Sequence, residues 1–132
     1  MTVVDTSLVV DFLLGTDTAD RVEAILEREG TVAAPDLLVF EVLAVLRRLA
    51  ARGDVAPERA RGAIDDLADF PVDIIPSLPL RHRAWELRQN LTAGDALFVA
   101  LAEALDEPLA TKDRALATAA REHAGVEAIE VG

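Results

Sequence analysis

The sequence predicts a single α/β domain built on a mainly parallel five-stranded sheet, and three observations carry that reading. The 132 residues make one domain, 1–132, long enough to bury about two thirds of the surface the unfolded chain exposes. Five short apolar runs read as strands: 2–5 (TVVD), 31–34 (TVAA), 72–76 (VDIIP), 108–111 (PLAT) and 126–131 (VEAIEV). Helical patterns separate them, and those connections are long enough for the crossovers that parallel pairing requires.

Each element has a local reason. After the first strand, 7–14 (SLVVDFLL) has the spacing of a short helix. Residues 17–29 (DTADRVEAILERE) are amphipathic, with Val22, Ile25 and Leu26 on one face, and Gly30 ends them. Beyond 31–34, Pro35 suits the first turn of a long helix that runs to about residue 52 and stops at Gly53. A further helix over 57–69 again has Pro at its start. Residues 79–90 and 93–106 read as two helices split near Leu91 and Thr92, and 113–123 as the last helix.

Composition narrows the function classes. Hydrophobic residues are 52% of the chain, which excludes a disordered protein. There is no cysteine, hence no disulfide framework and no thiolate metal site, an absence that fits a reducing cytoplasm. Residues 1–13 lack the basic start and cleavage site of a signal peptide, and no apolar run approaches ~18 residues, so no membrane span is expected. A net charge of −11 argues against a passive nucleic-acid binder. The acids are then a solvated surface, or several of them converge and need a cation.

Four acids fall at one edge of the predicted sheet. Asp5 ends the first strand. Glu41 lies in the second turn of the helix that leaves the second strand, on the order of 8 Å along it. Asp95 begins the helix that feeds the fourth strand, and such a helix runs antiparallel to the strand it feeds. Asp113 follows the fourth strand by two residues. Sites in open α/β sheets form outside the carboxyl ends of the strands. Each acid also has a plain structural explanation: Asp5 as a cap for the helix at Ser7, Thr92 to Asp95 as a capping box, and Thr111 as a cap with Asp113 in the first turn. Glu41 resists that treatment because it interrupts LLVF-E-VLAVL, where an unpaired carboxylate is costly; Arg48, two turns on, is a distant candidate partner. Hard oxygen ligands with no Cys and no well-placed His favour Mg²⁺ or Mn²⁺ over Zn²⁺. Such an ion activates water and stabilises the oxygens of an in-line phosphodiester displacement.

VVDTS at 3–7, APDLLVFEVLAVLRR at 34–48, GDALFVALAEAL at 94–105 and LATKDRAL at 109–116, in this order, make the chain resemble the PIN-domain ribonucleases. It resembles more narrowly the VapC-type toxins of bacterial toxin–antitoxin pairs. The resemblance spans essentially the whole chain and implies a parallel five-stranded sheet flanked by helices. It implies that Asp5, Glu41, Asp95 and Asp113 form a catalytic quartet that holds Mg²⁺ (or Mn²⁺), with Thr6 or Ser7 and Thr111 supporting it by hydrogen bonds. The expected substrate is single-stranded or loop RNA, cut to leave a 5′-phosphate and a 3′-hydroxyl. A homodimer and a cognate antitoxin are the expected partners, and the cytoplasm the expected location. Ala44 stands where members of the family often carry Asn.

Lys112 and Arg114 flank Asp113 and are candidate RNA phosphate contacts; Arg47, Arg48 and Arg52 make a basic end to the long helix. That helix is apolar nearly all round over its first turns, so it is expected to be buried on more than one side, one against the sheet and another against a second subunit, an inhibitory protein or the helix at 57–69. Three rival functions are open to test, one of them a pure interaction module. A phosphoacceptor domain needs an acceptor Asp at the end of the middle strand, where this chain has Pro76 and Ser77. A metal-independent ribonuclease needs His82 and His123, which both read as surface residues. Trp85, the only tryptophan, reads as a core or interface residue.

Overall fold

A computed structural model describes all residues, 1–132. Its elements in chain order are β1 (Val3–Val4), α1 (Thr6–Leu14), α2 (Ala19–Glu29), β2 (Val32–Pro35), α3 (Leu38–Ala51), α4 (Pro57–Leu67), β3 (Val72–Ile75), α5 (Arg81–Glu86), α6 (Ala93–Leu105), β4 (Leu109–Thr111), α7 (Arg114–Ala124) and β5 (Ala128–Glu130). The five strands form one sheet in the order β3-β2-β1-β4-β5, and every neighbouring pair is parallel. The chain order therefore reverses direction between β1 and β4, the switch point where ligands bind in open α/β sheets.

The sheet's centre explains its composition. Val3, Val4, Val32, Ala33, Ala34, Leu109 and Ala110 are wholly buried, as strands covered on both faces must be. Helices α1, α3 and α6 supply much of the covering layers through Leu8, Val9, Leu38, Val42, Leu46, Phe98 and Leu101. Phe12 of α1 meets Phe70, just before β3, with ring centroids 5.3 Å apart. α1 ends at Gly15, whose φ of 69° lets its N–H reach back to the carbonyls of Asp11 and Phe12.

Three expectations need correction. Pro35 closes β2 instead of opening the long helix. The next amide, Asp36, donates to the Ile75 carbonyl at 2.9 Å, so the ladder continues past the proline. The helix expected over 79–90 is a 3₁₀ turn at Leu78–Leu80 followed by the six residues of α5; Pro79 favours the tighter turn, and the chain leaves the α-helix at Leu87 (φ −86°, ψ 0°). Helix α3 turns Leu38, Val42 and Leu46 to the core and leaves Val39, Phe40 and Leu43 exposed, so the chain itself does not cover its second apolar side. Trp85 is likewise 67% exposed, with the Arg88 guanidinium 4.5 Å above its ring, so it is not a core residue. No helix is long and apolar enough to cross a membrane.

Candidate active site

Asp5 is the first residue past the central strand. Its amide still donates to the Ala110 carbonyl of β4 at 3.0 Å, which holds the residue at the switch point. Its side chain then serves two purposes. Oδ1 accepts from the Thr6 amide at 2.9 Å, capping α1, while Oδ2 accepts from the Thr111 hydroxyl at 2.8 Å and the Ser7 hydroxyl at 3.2 Å. The cap and the site are thus one side chain.

Glu41 has a different partner from the Arg48 that sequence proximity offers. Its Oε1 accepts from the Thr6 hydroxyl at 2.6 Å, and Arg48 stays exposed on the wall of the neighbouring cavity. The other oxygen, Oε2, lies 2.9 Å from where a Cβ on Gly94 would stand. Glycine before Asp95 therefore lets α3 and α6 bring Glu41 against the start of α6. Asp95 sits in that first turn, its amide donating to the Thr92 hydroxyl at 3.3 Å.

Asp113 caps α7, accepting from the Leu116 amide at 3.1 Å. Its own amide donates to the Thr111 hydroxyl at 3.0 Å. Thr111, wholly buried, accepts from Asp113 and donates to Asp5, joining the ends of β1 and β4. The expectation that Thr111 caps the last helix is corrected: Asp113 caps it, and Thr111 holds Asp113.

The four carboxylates act on one another. Burial pushes the Asp5 carboxyl above its ordinary value despite three hydrogen bonds from Thr111, Ser7 and Thr6, and the charge of Asp113 adds to the rise. Burial also raises Glu41, against the Thr6 hydrogen bond, with a further push from Asp5. Asp95 is raised first by burial, then by Asp5, and also by Asp113 and Glu41, with Thr92 opposing. No three His, Cys, Asp or Glu side chains close around a common point. The donor set still fits a hard divalent cation, because Mg²⁺ takes oxygen ligands, keeps several waters and needs only one or two carboxylates from the protein. Mutual repulsion among partly buried carboxylates is also what a cation relieves.

A cavity of about 690 Å³ opens beside Asp5 and Glu41. Its walls include Val10, Leu14, Phe40, Val45 and Val55, with Arg48 and Ala44 on the α3 side. Arg114 is exposed at the start of α7. Lys112 also lines the cavity, but its ammonium is engaged there: Nζ lies 2.8 Å from Oδ2 of Asp11. His82 and His123 are exposed, on α5 and in the last turn of α7. Asp11 is the residue that the sequence reading passed over. It is buried, it accepts from the Thr18 hydroxyl at 2.7 Å, and it breaks the apolar run LVV-D-FLL as Glu41 breaks its own, which is the signal that could have found it.

A family model described as the PIN domain matches residues 2–122. Ribonuclease VapC1 of Mycobacterium tuberculosis is 43% identical over 118 residues, 89% of either chain. Ribonuclease VapC12 of the same organism is 33% identical over 129 residues, 98% of this chain and 99% of its own. Among solved structures, VapBC2 from Rickettsia felis, bound to a DNA fragment from its promoter, matches with a TM-score of 0.70 at 15% identity, over 99% of this chain and 98% of its own. FitAcB from Neisseria gonorrhoeae matches with a TM-score of 0.69 at 20% identity, over 98% and 97%. At those identities the two structures speak to the fold alone.

Proposed function

This chain belongs to the PIN-domain family, and from that premise we propose that it is a VapC-type ribonuclease, the toxin of a toxin–antitoxin pair. The observation that carries the reading is the meeting of Asp5, Glu41, Asp95 and Asp113 at the switch point, where three of the carboxyls are raised by burial and by their neighbours' charge. Mg²⁺ or Mn²⁺ would be held within the quartet Asp5, Glu41, Asp95 and Asp113, by one or two carboxylates directly and by the others through water. When bound, the ion supplies Lewis-acid polarisation of the phosphodiester and a water acidic enough to attack it at neutral pH.

The chain's own residues do the rest. Thr111 and Ser7 fix the rotamer of Asp5, and Thr6 fixes Glu41, so the oxygens need little reorganisation when charge develops on the phosphate. Hydrolysis by water that expels the 3′-oxygen, the outcome the family resemblance implies, leaves a 5′-phosphate and a 3′-hydroxyl and needs no histidine pair. Arg114 offers a cation for a flanking phosphate of single-stranded or loop RNA, whose backbone can enter a cleft that a duplex cannot.

The cognate antitoxin would fill the apolar cavity beside Asp5 and Glu41 and set a basic side chain among the carboxylates. Charge complementarity supports that occupant, as does the similarity to the VapC ribonucleases. The exposed Val39 and Leu43, with Ile64 and Ile74, form a second, wholly apolar groove between α3, α4 and β3, which supports a homodimer.

The test is cleavage of an unstructured RNA by wild type and Asp5→Asn, with Mg²⁺ and with EDTA. Wild type should cut only with the metal, and the variant should be at least ~10²-fold slower, the scale of losing one polar group that acts on developing charge. Equal rates in the two proteins, or cleavage that persists in EDTA, would remove the carboxylates from the mechanism.

A further inference from the structure

Lys112 is the only lysine among the chain's thirteen basic residues, and it stands between the two residues that join β4 to the site, Thr111 and Asp113. We propose that Lys112 is a positioning residue: its ion pair with Asp11 clamps the turn that carries Asp113 onto helix α1, and so sets the carboxylates for metal. The proposal rests on the nuclease reading above, and it moves Lys112 from the RNA to the frame of the site.

The geometry is a two-point attachment. The 111–113 turn grips α1 at its N-terminal end through the Thr111 hydroxyl on Asp5 at 2.8 Å. It grips α1 again six residues on, through Lys112 Nζ on Asp11 Oδ2 at 2.8 Å. Strand bonds hold the chain as far as Thr111, the Asp5 amide on the Ala110 carbonyl at 3.0 Å and the Val131 amide on the Thr111 carbonyl at 2.9 Å. No strand bond reaches Lys112 or Asp113, and the Thr111 hydroxyl alone would let those two residues swing about the strand end. Two separated attachments along a helix remove that rotation, and the Asp113 amide on the Thr111 hydroxyl at 3.0 Å passes the constraint to the Asp113 carboxylate.

Asp11 is built to receive the ammonium. Its side chain is only 8% exposed and its Oδ2 also accepts from the Thr18 hydroxyl at 2.7 Å. A buried carboxylate with no cation would be costly. Lys112 is the only cation in the structure within ion-pair distance of it. Asp17 adds a second carboxylate oxygen 3.8 Å from Nζ. A compact ammonium suits a point between two carboxylates, whereas the forked guanidinium suits bidentate contact with a phosphate. With both acids facing it, the ammonium is drawn towards α1 and away from a polyanion.

Three proteins separate positioning from RNA contact: Lys112→Met, Asp11→Asn and the double variant, measured beside wild type. Mn²⁺ affinity is read by titration without RNA, and kcat and KM with RNA. Each single variant should weaken Mn²⁺ binding and lower kcat by about tenfold or more, the scale seen when a group that orients a metal ligand is removed, with KM unchanged. The double variant should be no worse than the poorer single, because the two residues act as one unit. Lys112→Met with a raised KM and wild-type Mn²⁺ affinity would overturn the proposal in favour of a phosphate contact. Asp11→Asn that behaves as wild type would overturn it too. Should Asp11→Asn not fold, ¹⁵N-lysine labelling of wild type decides: the single side-chain ammonium signal should be unmoved by a non-cleavable RNA, and a shift would refute the ion-pair role. Wild type that binds Mn²⁺ and leaves RNA intact would defeat the nuclease reading alone, since the Mn²⁺ arm still tests the clamp.

Discussion

Two threonines decide what the carboxylates can do. Thr6 bonds Glu41, and Thr111 bonds both Asp5 and Asp113. The acids themselves were legible in sequence, because all four fall at one edge of the predicted sheet and Glu41 also interrupts an apolar run where an unpaired charge is costly. Which hydroxyl meets which carboxylate was not legible, since Thr6 to Glu41 spans 35 residues and Thr111 to Asp5 spans 106. For the same reason the sequence offers Glu41 only Arg48, two turns along its own helix, as a structural partner. Gly94 shows how a residue without a side chain takes part. In Gly94→Ala the new Cβ would fall 2.9 Å from Glu41 Oε2 and displace that carboxylate, while alanine favours the helix by about 1 kcal/mol. RNA cleavage should therefore fall roughly tenfold or more with the thermal midpoint unchanged or higher. Wild-type cleavage by this variant would show that the place of Glu41 does not matter.

Helix α3 serves three surfaces at once. One stripe, Leu38, Val42 and Leu46, enters the core, and Glu41 reaches the site. Val39, Phe40 and Leu43 remain open. The apolar pattern announced more burial than a single chain supplies, and the surplus is legible as surface awaiting a partner. Helix α5 was misread for a local reason: the pattern runs on through 87–90, but Pro79 tightens the entry and Leu87 leaves helical geometry. For the homodimer, sedimentation should find wild type as a dimer, and Leu43→Glu should shift it to monomer, because a charge cannot be buried unpaired in an apolar interface. A monomeric wild type, or a variant that sediments with it, would remove that groove from the interface.

At the level of the molecule, the alternation of strands and helices placed all four acids at one edge before any strand order was known. A parallel sheet puts every strand's carboxyl end on the same side, whatever the order. The order β3-β2-β1-β4-β5 was beyond the sequence, because two to four residues per strand do not identify a neighbour. Yet that order makes β1 and β4 adjacent, and so brings Asp5 to Asp113.

The assembled charge has a consequence for stability. Asp5, Glu41 and Asp95 bind protons more tightly in the folded chain than in the unfolded one. Without metal, their contribution to stability is fully present below the ordinary values of 3.8 and 4.5 and is lost as pH rises through their raised ones. Glu29 runs the other way. Burial would raise it, but hydrogen bonds from Thr2 and Arg28, with the N-terminal charge, hold it below 4.5. Its contribution is present above that value and is lost as pH falls through the lowered one. As pH rises the metal-free protein thus gains repulsion within its site.

The most direct test is the thermal midpoint at neutral pH, with and without Mn²⁺, for wild type and Asp95→Asn. Asp95→Asn should melt higher than wild type in EDTA, because it removes a charge that three neighbours repel. Mn²⁺ at a hundredfold over its dissociation constant should raise the wild-type midpoint by roughly 5–10 °C and the variant's far less. A wild-type midpoint that Mn²⁺ leaves unmoved, with Asp95→Asn no more stable than wild type, would contradict a shared divalent ion at this edge of the sheet.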